Sequence, residues 1–424
     1  MPDRVIERAQ LQTASVLAGG RAGAEAAAPF AAVAPEGPLG EIYAGAAASI
    51  AHDWDDYLFM GHTGHSAVWT ARAFSSDGER ALLAQIAGNE IAGRLGAAIF
   101  IGPHNGQFWS SIHCGSAAVA AGIGLGLDGE RIAHALAIAL YQPPYGLWPG
   151  FMGPPTKLLT AAEPAVQGAR AALLGAEGVT GPLDVIEDRR GLLTHFSFVP
   201  RPTMLGALGD VWLSDTLAFK SHPGCAYLQA AVDAALSVEV DVADIAAIDV
   251  DAGVLTVAME ELGADAGLTP IGVNFSAARS VAIALVAGRL THHELSAEWL
   301  GAHADEVGEL AARVRVRHDW ELTTETLRGT AEAGASVRDV PLKAWPRVLS
   351  RAREAGLGTA GLGWTELRPL AERRDVRQRL LRILAIGHGR GIAGIDTEAM
   401  RMTFPARLRV HLRSGSSFEL EGVD

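Results

Sequence analysis

Cysteine is scarce in this chain: its 424 residues include only Cys114 and Cys225. Two thiols cannot build a disulfide framework or a four-thiolate metal site. They also cannot supply the three or four thiolates that hold an iron–sulfur cluster. The sequence therefore predicts a fold and a chemistry that depend on neither disulfides nor such a cluster.

Positive charge and long apolar runs are also in short supply. Lysine and arginine number 35 against 48 acidic residues, for a formal net charge of −13. No basic cluster or basic helix offsets this charge, which argues against a nucleic-acid surface. The apolar run GAAIFIG is too short to span a membrane, and the N-terminus lacks a signal-peptide pattern. We expect a soluble, cytoplasmic protein without nucleic-acid or membrane partners.

Aromatic residues make up only 6% of the chain, yet hydrophobic residues make up 49%. This hydrophobic content is too high for disorder and sufficient for a large core. At this length two domains, or one domain with a large insertion, are expected. An acidic protein that handles an acidic small molecule must also concentrate its cations locally in a pocket.

The first two hundred residues show mainly helical periodicity. GERALLAQIAGNEIAGRLGAA, residues 78–98, has apolar residues at three- and four-residue spacing. GSAAVAAGIGLGL, from Gly115, is apolar nearly all round and predicts a helix buried on every side. A further helix is predicted to begin at an Asp128 cap, and another covers 158–176. The many alanines and glycines predict closely packed helices in a domain covering residues 1–214.

Strand patterns enter after residue 214. Alternating residues predict strands at 248–254 and from Val314, and a hairpin about Ser414 and Gly415 near the end of the chain. A helix is predicted over 277–287, and a charged, largely helical segment over about 323–402. The fold class is thus predicted as mainly α. A large all-helical domain would be followed by a smaller α+β domain, residues 215–424, that carries the 323–402 segment as an insertion.

One stretch concentrates ionisable side chains: HDWDDYLFMGHTGHSAV, residues 52–68, holds three carboxylates and three histidines. A metal site, an acid–base cluster and a solvated loop all fit this composition. A metal site would use His62, His65 and Asp53. However, HTGH holds its imidazoles three residues apart in a turn, and no distal metal-binding pattern completes the set. The sequence therefore predicts no metal site here.

Five segments, in order, resemble the MmgE/PrpD family, which includes 2-methylcitrate dehydratases and cis-aconitate decarboxylases. They are HDWDDYLFMGHTGHSAV, GPHNGQFWSSIHCGSAAVAAGIGLGL, TKLLTAAEPAVQGARAALLGAEGVTGP, FKSHPGCAYLQAAVDAAL and NFSAARSVAIALVAG. The resemblance covers residues 50–290 well and the remainder loosely. It implies a homodimer in which a helical domain and a smaller lid domain enclose a polar cleft. It also implies dehydration, decarboxylation or epimerisation next to a carboxylate without an iron–sulfur cluster.

The resemblance carries several residues into an active site. Asp53 matches the first aspartate of the family's Asp-aromatic-Asp-Asp segment. His62 and His65 both compete for the histidine that follows it, with His62 preferred. His104 matches a Gly-x-His loop, although His113 is a second candidate for that position. Lys157 matches the family's helix lysine without a gap, and its ammonium is expected to bind a substrate carboxylate.

Three further positions are expected to contact substrate, and two of them depart from the family pattern. Lys220 matches the lysine of the Lys-x-x-Pro segment. Cys225 stands where decarboxylase-type members have a histidine, and Arg279 stands where they have a tyrosine. Arg279 could clamp a carboxylate in bidentate fashion, or it could pair with a lid carboxylate in a structural role.

The predicted function is a cofactor-free lyase that acts on a small carboxylic acid resembling 2-methylcitrate or aconitate. Dehydration or a related α-proton elimination is the leading reaction, because such chemistry needs a base at the C–H bond and donors at the developing enediolate. Two alternatives stay open: an isomerase, epimerase or cyclase on a larger substrate, and a non-catalytic binding homologue. A roomier cleft would favour the former, and failure of Asp53, His104 and Lys157 to converge would favour the latter.

Overall fold

A computed structural model of the chain describes residues 1–59, 61–100, 106–107, 109–332, 341–354, 372–383, 386 and 391–422. His104 lies outside the described residues, so its predicted place in the site stays a prediction. Among the described residues, no helix combines the length and the apolar character that a membrane crossing requires.

The first part of the chain is helical. Its helices are α1 Asp3–Ala22, α2 Ala28–Ala31, α3 Pro38–Ile50, α4 Gly64–Phe74, α5 Gly78–Ala98, α6 Trp109–Gly124, α7 Gly129–Tyr141, α8 Trp148–Phe151, α9 Leu159–Ala176 and α10 Leu192–Phe196. Short strands lie between them: β1 Asp56–Tyr57, β2 Ile99–Phe100, β3 Gly106–Gln107, β4 Gly146–Leu147, β5 Val199–Pro200 and β6 Ala218–Phe219. Helix α5 confirms the predicted bounds, and the Asp128 side chain caps α7 by accepting from the Arg131 N–H.

Helix α6 forms the centre of the helical part. It is buried along almost its whole length, as its uniformly apolar sequence predicts, and it packs against α4, α5, α7 and α9. Small residues make this packing possible: a Cβ on Gly168 of α9 would lie 2.1 Å from the carbonyl oxygen of Cys114. The alanine-rich helices can therefore approach one another closely.

The second part contains a four-stranded sheet. Its strands are β7 Ile245–Ala252, β8 Val314–His318, β9 Ala406–Leu412 and β10 Ser417–Gly422. Their order is β10-β9-β7-β8, with β7 and β8 parallel and the other neighbours antiparallel. Strands β9 and β10 confirm the predicted terminal hairpin.

Helices accompany this sheet. They are α11 Gln229–Leu236, α12 Val254–Leu262, α13 Ala277–Ala287, α14 Ala297–Ala302, α15 Ala304–Ala311, α16 Trp320–Glu332, α17 Trp345–Glu354 and α18 Arg374–Ile383. Helices α11 and α13 share a hydrophobic core with the sheet. The predicted class, mainly α with a smaller α+β part, is confirmed.

The two parts meet along the segment that connects α3 to α4. Strand β1 pairs with β6, the Gly224 N–H donates to the carbonyl of His52 over 2.8 Å, and the Asn274 side chain donates to the carbonyl of Ala51 over 2.7 Å. The segment 51–57 is therefore held by groups more than 150 residues away. The domain division at residues 214 and 215 stays a prediction.

Candidate active site

The three aspartates of the segment 51–57 point to three different partners. Asp56 is fully buried and accepts from the backbone N–H groups of Thr63 and Gly64, both over 3.2 Å, at the start of α4. It also accepts from the Gln12 amide over 2.9 Å. Burial, together with the adjacent Asp55, raises the pKa of Asp56. Asp56 therefore caps α4 and fixes the path of the loop.

Asp55 is the centre of a buried charged cluster. One carboxylate oxygen, Oδ1, lies 2.5 Å from Nζ of Lys220, and the other, Oδ2, lies 2.7 Å from Nε2 of His65 and 3.3 Å from Nδ1 of His62. Burial disfavours the charged carboxylate, but the Lys220 ammonium, together with hydrogen bonds from His62 and His65, outweighs burial and holds the pKa of Asp55 well below its usual range. Asp55 is therefore a carboxylate with fixed partners.

His65 lies behind Asp55 and is completely buried. Its Nε2 faces the Asp55 carboxylate, and its Nδ1 lies 2.9 Å from the Ser49 hydroxyl. Because the carboxylate accepts, Nε2 carries the ring proton and Nδ1 accepts from Ser49. This arrangement orients Asp55 and leaves His65 without access to the cavity described below.

Asp53 forms the second ion pair of the site. Its Oδ1 lies 2.7 Å from Nζ of Lys157, which also donates to the carbonyl of Ile50 over 3.1 Å. The Asp53 backbone has φ of 50°, in the left-handed region, and its carbonyl accepts from Nζ of Lys220 over 2.7 Å. The two ammonium groups thus hold this strained turn in place.

Both lysines of the site are buried. The chain has only three lysines, and the side chains of Lys157 and Lys220 are 0% and 3% exposed. Burial opposes the charge of Lys220, but the carboxylates of Asp55 and Asp53 outweigh burial and raise the pKa of its ammonium. Lys157 also lies over the Phe275 ring, with Nζ 5.2 Å from the ring centroid.

His62 is held by its Nδ1 and packed between two aromatic rings. Nδ1 lies 2.8 Å from the carbonyl oxygen of Asp56 and 3.3 Å from the Asp55 carboxylate. Both groups accept hydrogen bonds, so Nδ1 carries the proton of the neutral ring and Nε2 holds the lone pair. The rings of Tyr57 and Trp109 lie 5.1 and 4.7 Å from the imidazole, centroid to centroid.

A cavity of about 310 Å³ joins these groups. Its polar lining consists of Asp53, Asp55, His62, His113, Thr160 and Cys225. Its aromatic lining consists of Tyr57, Trp109, Trp148, Phe151, Tyr227 and Phe275, and its aliphatic lining of Ile50, Ala226, Leu255 and Met259. Both parts of the chain contribute to the polar, the aromatic and the aliphatic lining. The aspartates and histidines of the lining all precede residue 215.

The remaining polar groups of the cavity are neutral near pH 7. Burial raises the pKa of the Cys225 thiol to about 11 and raises the pKa values of the Tyr57 and Tyr227 phenols. Burial and the neighbouring histidines hold the pKa of His113 well below its usual range. These groups are therefore uncharged, and Cys225 is a thiol instead of a thiolate.

The predicted site residues separate into three groups. Asp53, His62 and Cys225 line the cavity. His65, Lys157 and Lys220 lie behind this wall as partners of the two aspartates.

Arg279 forms the third group by itself. It does not line the cavity, and backbone carbonyls hold its guanidinium. Its guanidinium donates to the backbone carbonyls of Gly263 and Ala264, over 3.3 and 2.7 Å. This is a structural role, and contact with substrate stays a prediction. In the part of the chain that the structure describes, no three His, Cys, Asp or Glu side chains are grouped as a metal site would require.

Local sequence signals point to Asp53 but do not single out Asp55, and they do not indicate Tyr57, Tyr227, Trp148 or Phe275. The pairing of Asp55 with Lys220 joins residues 165 positions apart, and no local pattern announces such a contact. The aromatic residues gave a weak signal of another kind. They are few in this sequence, so their gathering around one cavity becomes visible only in the fold.

The cavity, lined by aspartates, histidines and aromatic residues, lies where the two parts of the chain meet. Residues 42–204 match the MmgE/PrpD N-terminal domain, and residues 222–361 match the MmgE/PrpD C-terminal domain. The chain belongs to the MmgE/PrpD family, and membership indicates an enzyme of the dehydratase or lyase type. The comparison with curated proteins found no match.

Proposed function

We propose that the protein is a cofactor-free lyase that removes an α-proton from a small carboxylic acid, with dehydration as the leading reaction. The observation that carries this proposal is the anchoring of His62. Its Nδ1–H is held by the Asp56 carbonyl and the Asp55 carboxylate, and the ring lines the cavity. Nε2 therefore presents a lone pair in a fixed direction, as a general base requires.

The chemistry divides between this base and its neighbours. Nε2 of His62 takes the α-proton, and the electron pair of the C–H bond moves to form an enolate. As the imidazolium forms, the nearby Asp55 carboxylate stabilises its charge. The enolate then re-forms its carboxylate and makes a new Cα=Cβ bond as the C–O bond to the β-hydroxyl group breaks. The departing oxygen takes back the proton from the His62 imidazolium and leaves as water, which regenerates the neutral base.

A donor for the oxygens of the reacting molecule comes from the phenols beside the base, since the Tyr57 ring lies 5.1 Å from the His62 imidazole, centroid to centroid. Burial raises the pKa values of the Tyr57 and Tyr227 phenols, so both stay protonated. The Tyr227 hydroxyl hydrogen-bonds to Tyr57, which leaves the Tyr57 O–H for the substrate in the cavity that both phenols line. Neutral O–H donors in a largely apolar pocket stabilise a developing oxyanion more strongly than they would in water. The aromatic lining also limits the water that reaches the enolate.

The test is proton NMR in heavy water of the metal-stripped enzyme, with citrate, cis-aconitate, 2-methylcitrate and simpler 3-hydroxy acids. His62→Asn keeps an N–H near the Asp56 carbonyl but removes the base, so α-proton loss should fall by about 10²–10⁴-fold. His195→Asn changes an exposed histidine that does not line the cavity and should leave the rate unchanged. A His62→Asn enzyme with wild-type rate would refute the assignment of the base.

The same spectra separate the related reactions. A new vinyl proton signal, together with loss of the proton signals of the hydroxy acid, indicates elimination. Deuterium at the α-carbon without a vinyl signal indicates an epimerase or isomerase that uses the same base. Larger substrates gain no support from the cavity, since about 310 Å³ lies at the small end of ligand pockets, which span roughly 300–1,000 Å³.

A further inference from the structure

The charges that face the cavity are negative. Asp53 and Asp55 line it, whereas their partners Lys157 and Lys220 are buried behind them and do not. Within the described ranges, no lysine or arginine lines the cavity. Residues 101–105 and 108, which precede α6 in the sequence, contain neither lysine nor arginine.

Another part of the cavity lining is apolar. Trp148 and Phe151 from the first part of the chain face Leu255, Met259 and Phe275 from the second. Phe151 lies 5.2 Å from Phe275 and 6.1 Å from Trp148, measured between ring centroids. These residues form a continuous aromatic and aliphatic surface that can bury an apolar group.

A tricarboxylate suits this cavity poorly. Each carboxylate taken from water must find cations or several donors, because burial of an isolated charge is very costly. The ammonium groups that could provide this are already paired with Asp53 and Asp55 at 2.7 and 2.5 Å. A substrate carboxylate that approaches them first meets the two protein carboxylates, and like charges repel.

We infer that the substrate is a mainly apolar molecule with a single carboxylate, whose aliphatic or aromatic body packs on the Trp148, Phe151 and Met259 side of the cavity. The reaction assigned to it rests on the proposed function; the binding preference does not. A 3-hydroxy acid with an alkyl or aryl substituent has this chemistry. Loss of its α-proton and its hydroxyl group gives the α,β-unsaturated acid and water.

The test is isothermal titration calorimetry of the full chain with 3-hydroxyoctanoate and 3-hydroxy-3-phenylpropanoate, against citrate and cis-aconitate. The monocarboxylates should bind at least about tenfold more tightly than either tricarboxylate. Equal or tighter binding of a tricarboxylate overturns the inference. Failure of both monocarboxylates to bind at millimolar concentration overturns it as well, because the apolar wall would then hold no such ligand.

A charge introduced into the apolar wall provides a second measurement. Met259→Lys should weaken binding of the monocarboxylates about tenfold and narrow or reverse their advantage over cis-aconitate. The matched Met259→Leu variant keeps the wall apolar and should retain the wild-type order. A Met259→Lys variant that binds all four ligands as the wild type does would show that this wall does not contact the substrate.

The two proposals fail in distinguishable ways. Preferential binding of the monocarboxylates without α-proton loss in heavy water would support the substrate class and refute the lyase. Loss of an α-proton or turnover confined to a tricarboxylate would support the lyase and refute the substrate class.

Discussion

The buried pair of Lys220 and Asp55 makes a sharp prediction about stability. Lys220→Met keeps an unbranched side chain of similar length but removes an ammonium that lies 2.5 Å from Asp55 and 2.7 Å from the Asp53 carbonyl. Removing one partner of a buried pair costs about 3–5 kcal/mol, because the other charge stays buried without compensation. We expect Lys220→Met to lower the free energy of unfolding by about 3 kcal/mol, at the low end of this range, since His65 still donates to Asp55.

The loss should depend on pH with a definite sign. The folded-state pKa of Asp55 lies below its usual value, which is about 3.9 in an unfolded chain. The stabilisation that Asp55 receives from Lys220 is therefore complete above about pH 4 and is lost as the pH falls through the folded-state pKa. The difference in the free energy of unfolding between wild type and Lys220→Met should be largest near pH 7 and should shrink in acid.

The assay is urea denaturation of wild type, Lys220→Met, Asp55→Asn and the double variant at pH 7. The double variant removes both charges, so its loss should be smaller than the sum of the two single losses. Lys343→Met removes the exposed third lysine and should change stability by no more than about 0.5 kcal/mol. A Lys220→Met loss below about 1 kcal/mol would place the pair among solvent-exposed salt bridges and refute its burial.

Two further predictions concern the start of α4 and the cavity thiol. Gly64→Ala places a Cβ 2.2 Å from Asp56 Oδ1 and should destabilise the protein by about 1–3 kcal/mol in thermal or urea denaturation. The control Gly78→Ala places its Cβ in open space and should not destabilise the protein. Equal stability of both variants would contradict the geometry. Cys225, with its pKa raised to about 11, should react with iodoacetamide roughly a hundredfold more slowly at pH 8 than an ordinary thiol. Mass spectrometry of native and urea-unfolded protein measures the two rates. Comparable rates would refute the burial of the thiol.

Much of the secondary structure follows from local sequence signals. Helix α13 covers 277–287 as predicted, because apolar periodicity coincides with a serine cap at Ser276. The terminal hairpin follows from two alternating runs about Ser414 and Gly415. The predicted strand at 248–254 differs at its end: β7 stops at Ala252 and α12 begins at Val254. Gly253 separates them, and the apolar run VLTVAM is compatible with either structure.

The candidate site was less accessible to sequence reasoning. The three aspartates at 53, 55 and 56 point in different directions, toward Lys157, toward Lys220 and toward α4. Which of them faces which partner depends on contacts between residues far apart in the chain. Such contacts leave no periodic signal, so Asp55 could not be ranked above its neighbours.

The lysines show how the geometry limits what a motif can imply. The sequence predicts that Lys157 binds a substrate carboxylate, and that role stays open as a prediction. In the structure its ammonium is fully buried and already holds Asp53 at 2.7 Å and the Ile50 carbonyl at 3.1 Å. A substrate carboxylate could reach it only by displacing Asp53, which would exchange one carboxylate for another and leave Asp53 buried without its cation. Such an exchange gains little Coulombic energy and adds a desolvation cost. The ammonium therefore acts best as it stands, paired with Asp53 and holding its left-handed turn in place. In the function proposed above, the aromatic surface of the cavity and the Tyr57 phenol would bind the substrate instead.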